Sequence, residues 1–132
     1  MDSFLVMRIA SRYLALPIQQ VVRAVPAALL SPPAGKGPVA GILNLEGEMI
    51  PVIDPREIFG VPKKEMDTSD AIVLAQWGDQ VIGIWVDQVL GVFEPQSRRS
   101  CTVMGQPVDA VAIGQDQPVA AVLDIGGMFS ER

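Results

Sequence analysis

The chain is written twice, and this constrains its fold more than any other feature. MIPVIDPREIF (49–59) lies over VAAVLDIGGMF (119–129) at an offset of 70 positions (124 − 54). Upstream, YLALPIQQVVRAV (13–25) lies over VIGIWVDQVLGVF (81–93) at an offset of 68 (81 − 13). Identities are few, but both copies run strand, turn, strand, cap. Each copy is a set of short apolar runs too small to bury its own faces, so the two must pack on each other. The repeat predicts an all-β protein of two similar small barrels with a shared core and short helical turns. Residues 1–132 are expected to form one domain of two interleaved lobes.

The clearest copy is Val39 to Phe59. Val39–Leu45 and Glu48–Ile53 read as strands joined by Glu46-Gly47, where glycine supplies the positive φ of a tight hairpin. Met49 to Ile53 is apolar on both faces, as in a strand sandwiched between layers. Pro51 cannot donate to a ladder, which predicts an edge or a bulge there. Asp54-Pro55-Arg56-Glu57 is a helix start, with Asp54 as N-cap, Pro55 as the first helical residue and Glu57 reaching back to the cap.

Around this stretch, Phe4–Ile9 and Tyr13–Leu16 read as strands, and Ile18, Val21 and Val22 have helical spacing after Pro17. Residues 23–30 read as extended, and 31–38 as an exposed Pro/Gly loop. Residues 60–69 form a polar loop. Asp70–Gln76 and Gln80–Val86 make a hairpin across Gly78-Asp79, running on to Phe93, with Gly83 and Gly91 marking bulges or close backbone approach. Residues 94–107 are polar and read as irregular. Val108–Gly114 and Pro118–Leu123 make a last hairpin, and Asp124 caps a final turn. Gly126 and Gly127 weaken that turn, since glycine costs about 1 kcal/mol each in a helix, so the second lobe is expected to end loosely.

Composition excludes several functions. The net charge is −5, without the basic footprint that nucleic acid or an anionic membrane needs. There is no histidine, which removes the commonest general base and metal ligand. The single cysteine, Cys101, forbids an intrachain disulfide and reads as incidental. The N-terminus does not read as a signal peptide, and no apolar run approaches the roughly 20 residues that span a bilayer. The expected location is the cytoplasm. No metal or cofactor is expected.

GILNLEGEMIPVID followed by REIFG, and then VIGIWVDQVLGV, resembles the CheW-like domain, the family of chemotaxis coupling proteins and of the regulatory domain of CheA-type kinases. The resemblance runs from about Phe4 to Phe129. It implies two five-stranded SH3-like barrels and a non-enzymatic adaptor that couples chemoreceptor cytoplasmic tips to a CheA-type histidine kinase. Carried onto this chain, Gly41, Asn44, Glu46, Val89 and Val92 match receptor-side contacts. Gln20 and Val22 match positions near that interface, and Ile50, Val52 and Ile53 fall on the kinase side. Family members usually carry arginine where this chain has Glu46. That reversal turns an attractive contact into repulsion. It implies either a compensated partner or a module retuned for another system, such as pilus-based motility or a competing regulator.

Blander readings stand beside these. Asp54 and Asp124 cap turns, and Asp87 fixes a strand bend. Gly41 and Gly47 are backbone necessities as readily as contacts, and Asn44 stabilises its own turn. Val89 and Val92 are core residues or a partner groove. Trp85 is core, and Trp77, beside a turn, reads as exposed at a hairpin tip, with an interface role as the alternative. A small enzyme or ligand-binding barrel is the third reading, opposed by the missing histidine, phosphate loop and metal spacing.

Overall fold

The computed structural model describes residues 2–28, 30–31, 39–114 and 119–130, with side chains to residue 128. The expected loop at 32–38 lies outside the described residues. The strands are β1 (Phe4–Ile9), β2 (Arg12–Pro17), β3 (Val21–Pro26), β4 (Val39–Leu45), β5 (Glu48–Ile53), β6 (Ala71–Trp77), β7 (Gln80–Val86), β8 (Gln88–Phe93), β9 (Ser97–Val103), β10 (Gln106–Ala112) and β11 (Val119–Val122), followed by helix α1 (Ile125–Ser130). They form two sheets, ordered β8-β1-β2-β11-β10-β9 and β3-β6-β7-β5-β4. The all-β expectation holds, as two bent, SH3-like lobes. Neither sheet closes, and the first carries six strands because β9 is added to its edge.

The repeat maps one sheet onto the other strand for strand. Shifting β3, β6, β7, β5 and β4 to their repeat partners gives β8, β1, β2, β11 and β10, which is the order of the other sheet. Registers follow. The parallel pair Val52↔Gly83 becomes Val122↔Ala15. Both outer strands carry a bulge at the equivalent residue: Val22 on β3 and Leu90 on β8, 68 apart (90 − 22). Each sheet mixes strands of both copies. Hairpin β1–β2 sits in the sheet of β8 to β11, and hairpin β6–β7 sits in the sheet of β3 to β5.

Period-2 alternation explains the double-faced apolar strands. On β1, Leu5, Met7 and Ile9 enter the shared core while Phe4 and Val6 enter a private one. On β6 and β7, Val73, Ile82 and Ile84 enter the shared core, and Ile72, Leu74 and Trp85 the other private one. Trp85 is core, as expected. The glycines behave as read. A Cβ on Gly83 would lie 2.8 Å from Ile72 Cγ2 and 3.1 Å from Val52 Cγ2, and Gly91 follows the β8 bulge at φ +138°.

Several expectations change. Residues 97–103 form β9; its polar sequence reflects an outer strand in which Val103 is buried and Cys101 is half-buried against the shared core. After Pro17 only a 3-10 turn forms, Ile18–Gln20, and Val21 and Val22 belong to β3. β5 is interior, not an edge. Pro51 is tolerated because Ile42 opposite it exchanges both its backbone bonds with Ser31 (2.8 and 2.9 Å), while the pairing to β7 involves Val52 and Ile53 only. Residues 55–60 are hydrogen-bonded turns, not a helix. Asp54 Oδ1 does accept the Arg56 N–H at 3.1 Å, but Glu57 is exposed and does not close a capping box. The C-terminal end is not loose in the described residues. Asp124 Oδ1 accepts the Gly127 N–H at 3.1 Å, and Ile125 and Met128 are buried. Gly127 makes room for that cap, since a Cβ there would lie 2.7 Å from Asp124 Oδ2.

Candidate functional site

Two features stand out: a groove on the five-stranded lobe and an ionic cluster where the lobes join. The groove holds about 360 Å³ between β3 and the β4–β5 turn. Ile50, Leu74 and Val81 line it, with Val22 and Arg23 on one side and Glu46 and Glu48 on the other. Its position follows from the turn. Glu46 (φ +54°) and Gly47 (φ +88°) both adopt positive φ, which carries the two strands round within two residues. Asn44 braces this turn by accepting the Gly47 N–H at 3.3 Å.

The structure brings Val22, Glu46 and Ile50 to this one groove. Gln20 is half-buried in the 3-10 turn before β3. Val89 and Val92 lie on β8, in the other sheet and away from the groove lining; Val89 packs against the shared core and Val92 is 57% exposed. Gly41 is buried, and a Cβ there would meet Leu30 Cβ at 2.7 Å and the Ser31 carbonyl at 2.8 Å. Its side of the strand is therefore filled by the protein itself. Val52 and Ile53 are fully buried and Ile50 nearly so. As side chains they are core, so a kinase-side contact around Ile50 to Ile53 would fall to the backbone and the adjoining turns.

The ionic cluster centres on Asp87, at the crossover from β7 in one sheet to β8 in the other. Its Oδ2 accepts the N–H of Ala10, in the β1–β2 turn, at 2.8 Å. Its Oδ1 accepts a bond from Arg56, and Lys64 Nζ stands 3.7 Å away. Arg56 is 1% exposed. It also bonds Asp54 Oδ1 at 2.8 Å and lies over the Trp85 ring at 4.4 Å. Nearby, buried Asp70 accepts from Lys64 Nζ (2.9 Å), the Asp67 N–H (2.9 Å) and Trp85 Nε1 (3.0 Å). The bend assigned to Asp87 is real, and the residue also ties both lobes together. Arg56 was not singled out in the sequence. The available signal was that it is the only cation between Val39 and Gly60, among three other acids besides Asp54.

Burial would raise the carboxyls of Asp87 and Asp70, but the hydrogen bonds and cations outweigh it. For Asp87 these are the Ala10 N–H, Arg56 and Lys64, and for Asp70 the Asp67 N–H, Lys64 and Trp85. Both are held below the ordinary value of 3.8. A depressed carboxyl contributes stability that is complete above its unfolded value and lost as pH falls through the folded one. Urea unfolding midpoints are therefore expected to show no loss from these two groups between pH 7 and pH 5, and a fall beginning below about pH 4. Asp87→Asn should remove part of that slope, and an unchanged slope would refute the assignment.

A model of the CheW-like domain matches residues 3–132. The chain belongs to the CheW-like domain family. Among solved structures, the scaffolding protein TtCheW from Thermoanaerobacter tengcongensis is similar, with 23% identity and a TM-score of 0.74 over 97% of this chain and 92% of that one. At that identity the likeness shows the shared fold. A comparison with curated proteins finds no match. Among the described residues of this CheW-like chain, no helix is long and apolar enough to cross a membrane, and no group of acids and cysteine is placed to hold a metal.

Proposed function

We propose that this CheW-like chain is a non-enzymatic adaptor of chemotaxis-type signalling, coupling chemoreceptor cytoplasmic tips to the regulatory domain of a CheA-type histidine kinase in the cytoplasm. The observation that carries the reading is the family match over almost the whole chain. The chemistry agrees with it. Buried Asp70 and half-buried Asp87 are engaged by cations and N–H donors, which suits a role in bracing the fold. Exposed Val22 and Val92, on outer strands of the two sheets, suit protein contacts. Val89 and Gln20 flank them and stay within the proposed receptor side.

A second reading has a specific observation behind it. Glu46 is exposed at the lip of the groove, where the family usually carries arginine. The module is then retuned for a non-standard system.

Titration calorimetry with the kinase regulatory domain and a receptor-tip fragment from the same genome tests the proposal. Saturable binding to both is expected; binding to neither overturns it. Gain of binding to a standard receptor tip on Glu46→Arg would favour the retuned reading.

A further inference from the structure

We propose that the groove between β3 and the β4–β5 turn receives a partner-protein segment that carries an apolar side chain flanked by lysine or arginine. This rests on the adaptor reading, which already places Val22 and Glu46 on its receptor side, and adds the chemistry of the segment that docks there. Three observations carry it.

First, the space is left open by the sequence and not by the architecture. The position equivalent to Val81 in the other lobe is Tyr13 (81 − 68), whose ring packs against that lobe's private core. Likewise Val22 matches Leu90. The fold accepts a large side chain at this position in one lobe and leaves it unfilled in the other.

Second, the floor and the rim differ in chemistry. Ile50, Leu74 and Val81 offer apolar surface at the bottom. Val22, 49% exposed on the β3 bulge, extends that surface to the lip. Such surface gains free energy only when another apolar group covers it.

Third, the lip on the turn side carries Glu46 and Glu48. Both are exposed, and neither is in an ion pair among the described residues. Arg23, on the opposite lip, is likewise unpaired. Two carboxylates against one guanidinium leave the groove net negative, on a chain whose own charge is −5. A cation beside the apolar knob would meet Glu46 and Glu48, and the long-range field would favour its approach.

The test uses isotope-labelled protein and two short synthetic amphipathic peptides. They share the same leucines and differ only in lysine or glutamate flanks. The lysine peptide should shift the amides of Val22, Leu74 and Val81, and bind about tenfold or more tighter than the glutamate peptide, equivalent to about 1.4 kcal/mol. Added salt should shrink the difference. Glu46→Lys should erase or reverse the preference. Val81→Tyr, which installs the residue the other lobe uses, should abolish binding without changing charge. Its amide dispersion checks that the variant is folded. Equal shifts from both peptides, shifts confined to β8, or no shifts would overturn the proposal. Concentration-dependent shifts of the same amides without peptide would overturn it too, assigning the groove to a second copy of the chain.

Discussion

Replacing Arg56 with alanine is expected to lower the unfolding free energy by about 3 kcal/mol or more, because it breaks a buried ion pair from one side. Arg56 is 1% exposed and answers two carboxylates, Asp54 and Asp87. Removing it leaves Asp54 without its cation. Asp87 keeps only Lys64 at 3.7 Å and Arg8 at 3.9 Å, beside the Ala10 N–H. The face of Trp85 loses its stacked guanidinium as well. Arg56→Lys should recover only part of the loss, since an ammonium cannot reach both acids with a planar fork. Asp87→Asn combined with Arg56→Ala should cost less than the two single changes added together, because both act on one network. Urea denaturation of the unsubstituted protein and the four variants checks this. A loss below about 1 kcal/mol, the scale of an exposed pair, would show that the cluster is not a buried clamp.

The same cluster shows where the sequence was legible and where it was not. The repeat could be read because apolar runs survive in both copies: Val52-Ile53 over Val122-Leu123, and Leu14 and Leu16 over Ile82 and Ile84. The structure extends it to Ile72 and Leu74, whose counterparts Phe4 and Val6 fill the other lobe's private core. The cluster was hidden because it breaks the repeat. Trp85, Asp87 and Arg56 match Pro17, Gln19 and Gly126, so the second copy gave no echo to notice. Its members are also far apart in sequence, and a buried arginine looks like any surface arginine until its partners converge. β9 was missed for a different reason. An outer strand needs only one apolar face, and Cys101 and Val103 are too short a signal to outweigh Arg98, Arg99 and Ser100. Among the candidate contacts, resemblance supplied positions but not exposure. It took the fold to separate Val22 and Glu46, at a groove lip, from Val52 and Ile53, which sit in a run apolar on both faces and covered on both sides.

Cutting the chain after Pro62 should abolish the fold of each half and leave it recoverable by mixing. The cut falls in the exposed loop between β5 and β6. It gives one fragment with β1 to β5 and one with β6 to β11. All four pairings that join the hairpins into sheets, β1 with β8, β2 with β11, β3 with β6 and β5 with β7, cross the cut. The first fragment keeps only two isolated hairpins and an unpaired β3, and lone hairpins are marginal in water. The second keeps a hairpin, an unpaired β8 and the β9-β10-β11 meander, without the β1–β2 hairpin that covers it. The shared core would be split as well, with Leu14 and Leu16 on one side and Ile82 and Ile84 on the other. Each fragment alone is expected to give a collapsed amide spectrum and no cooperative thermal transition. The equimolar mixture should recover the dispersion and groove signals of the intact chain. A cooperative transition in either fragment alone would mean that the lobes are separable units, and that the exchange of hairpins between them is incidental to stability. Because pairs such as Phe4↔Phe93 lie 89 positions apart (93 − 4), closure of these sheets is dominated by non-local contacts. Refolding of the intact chain should accordingly fall on the slow, millisecond-to-second side of small domains.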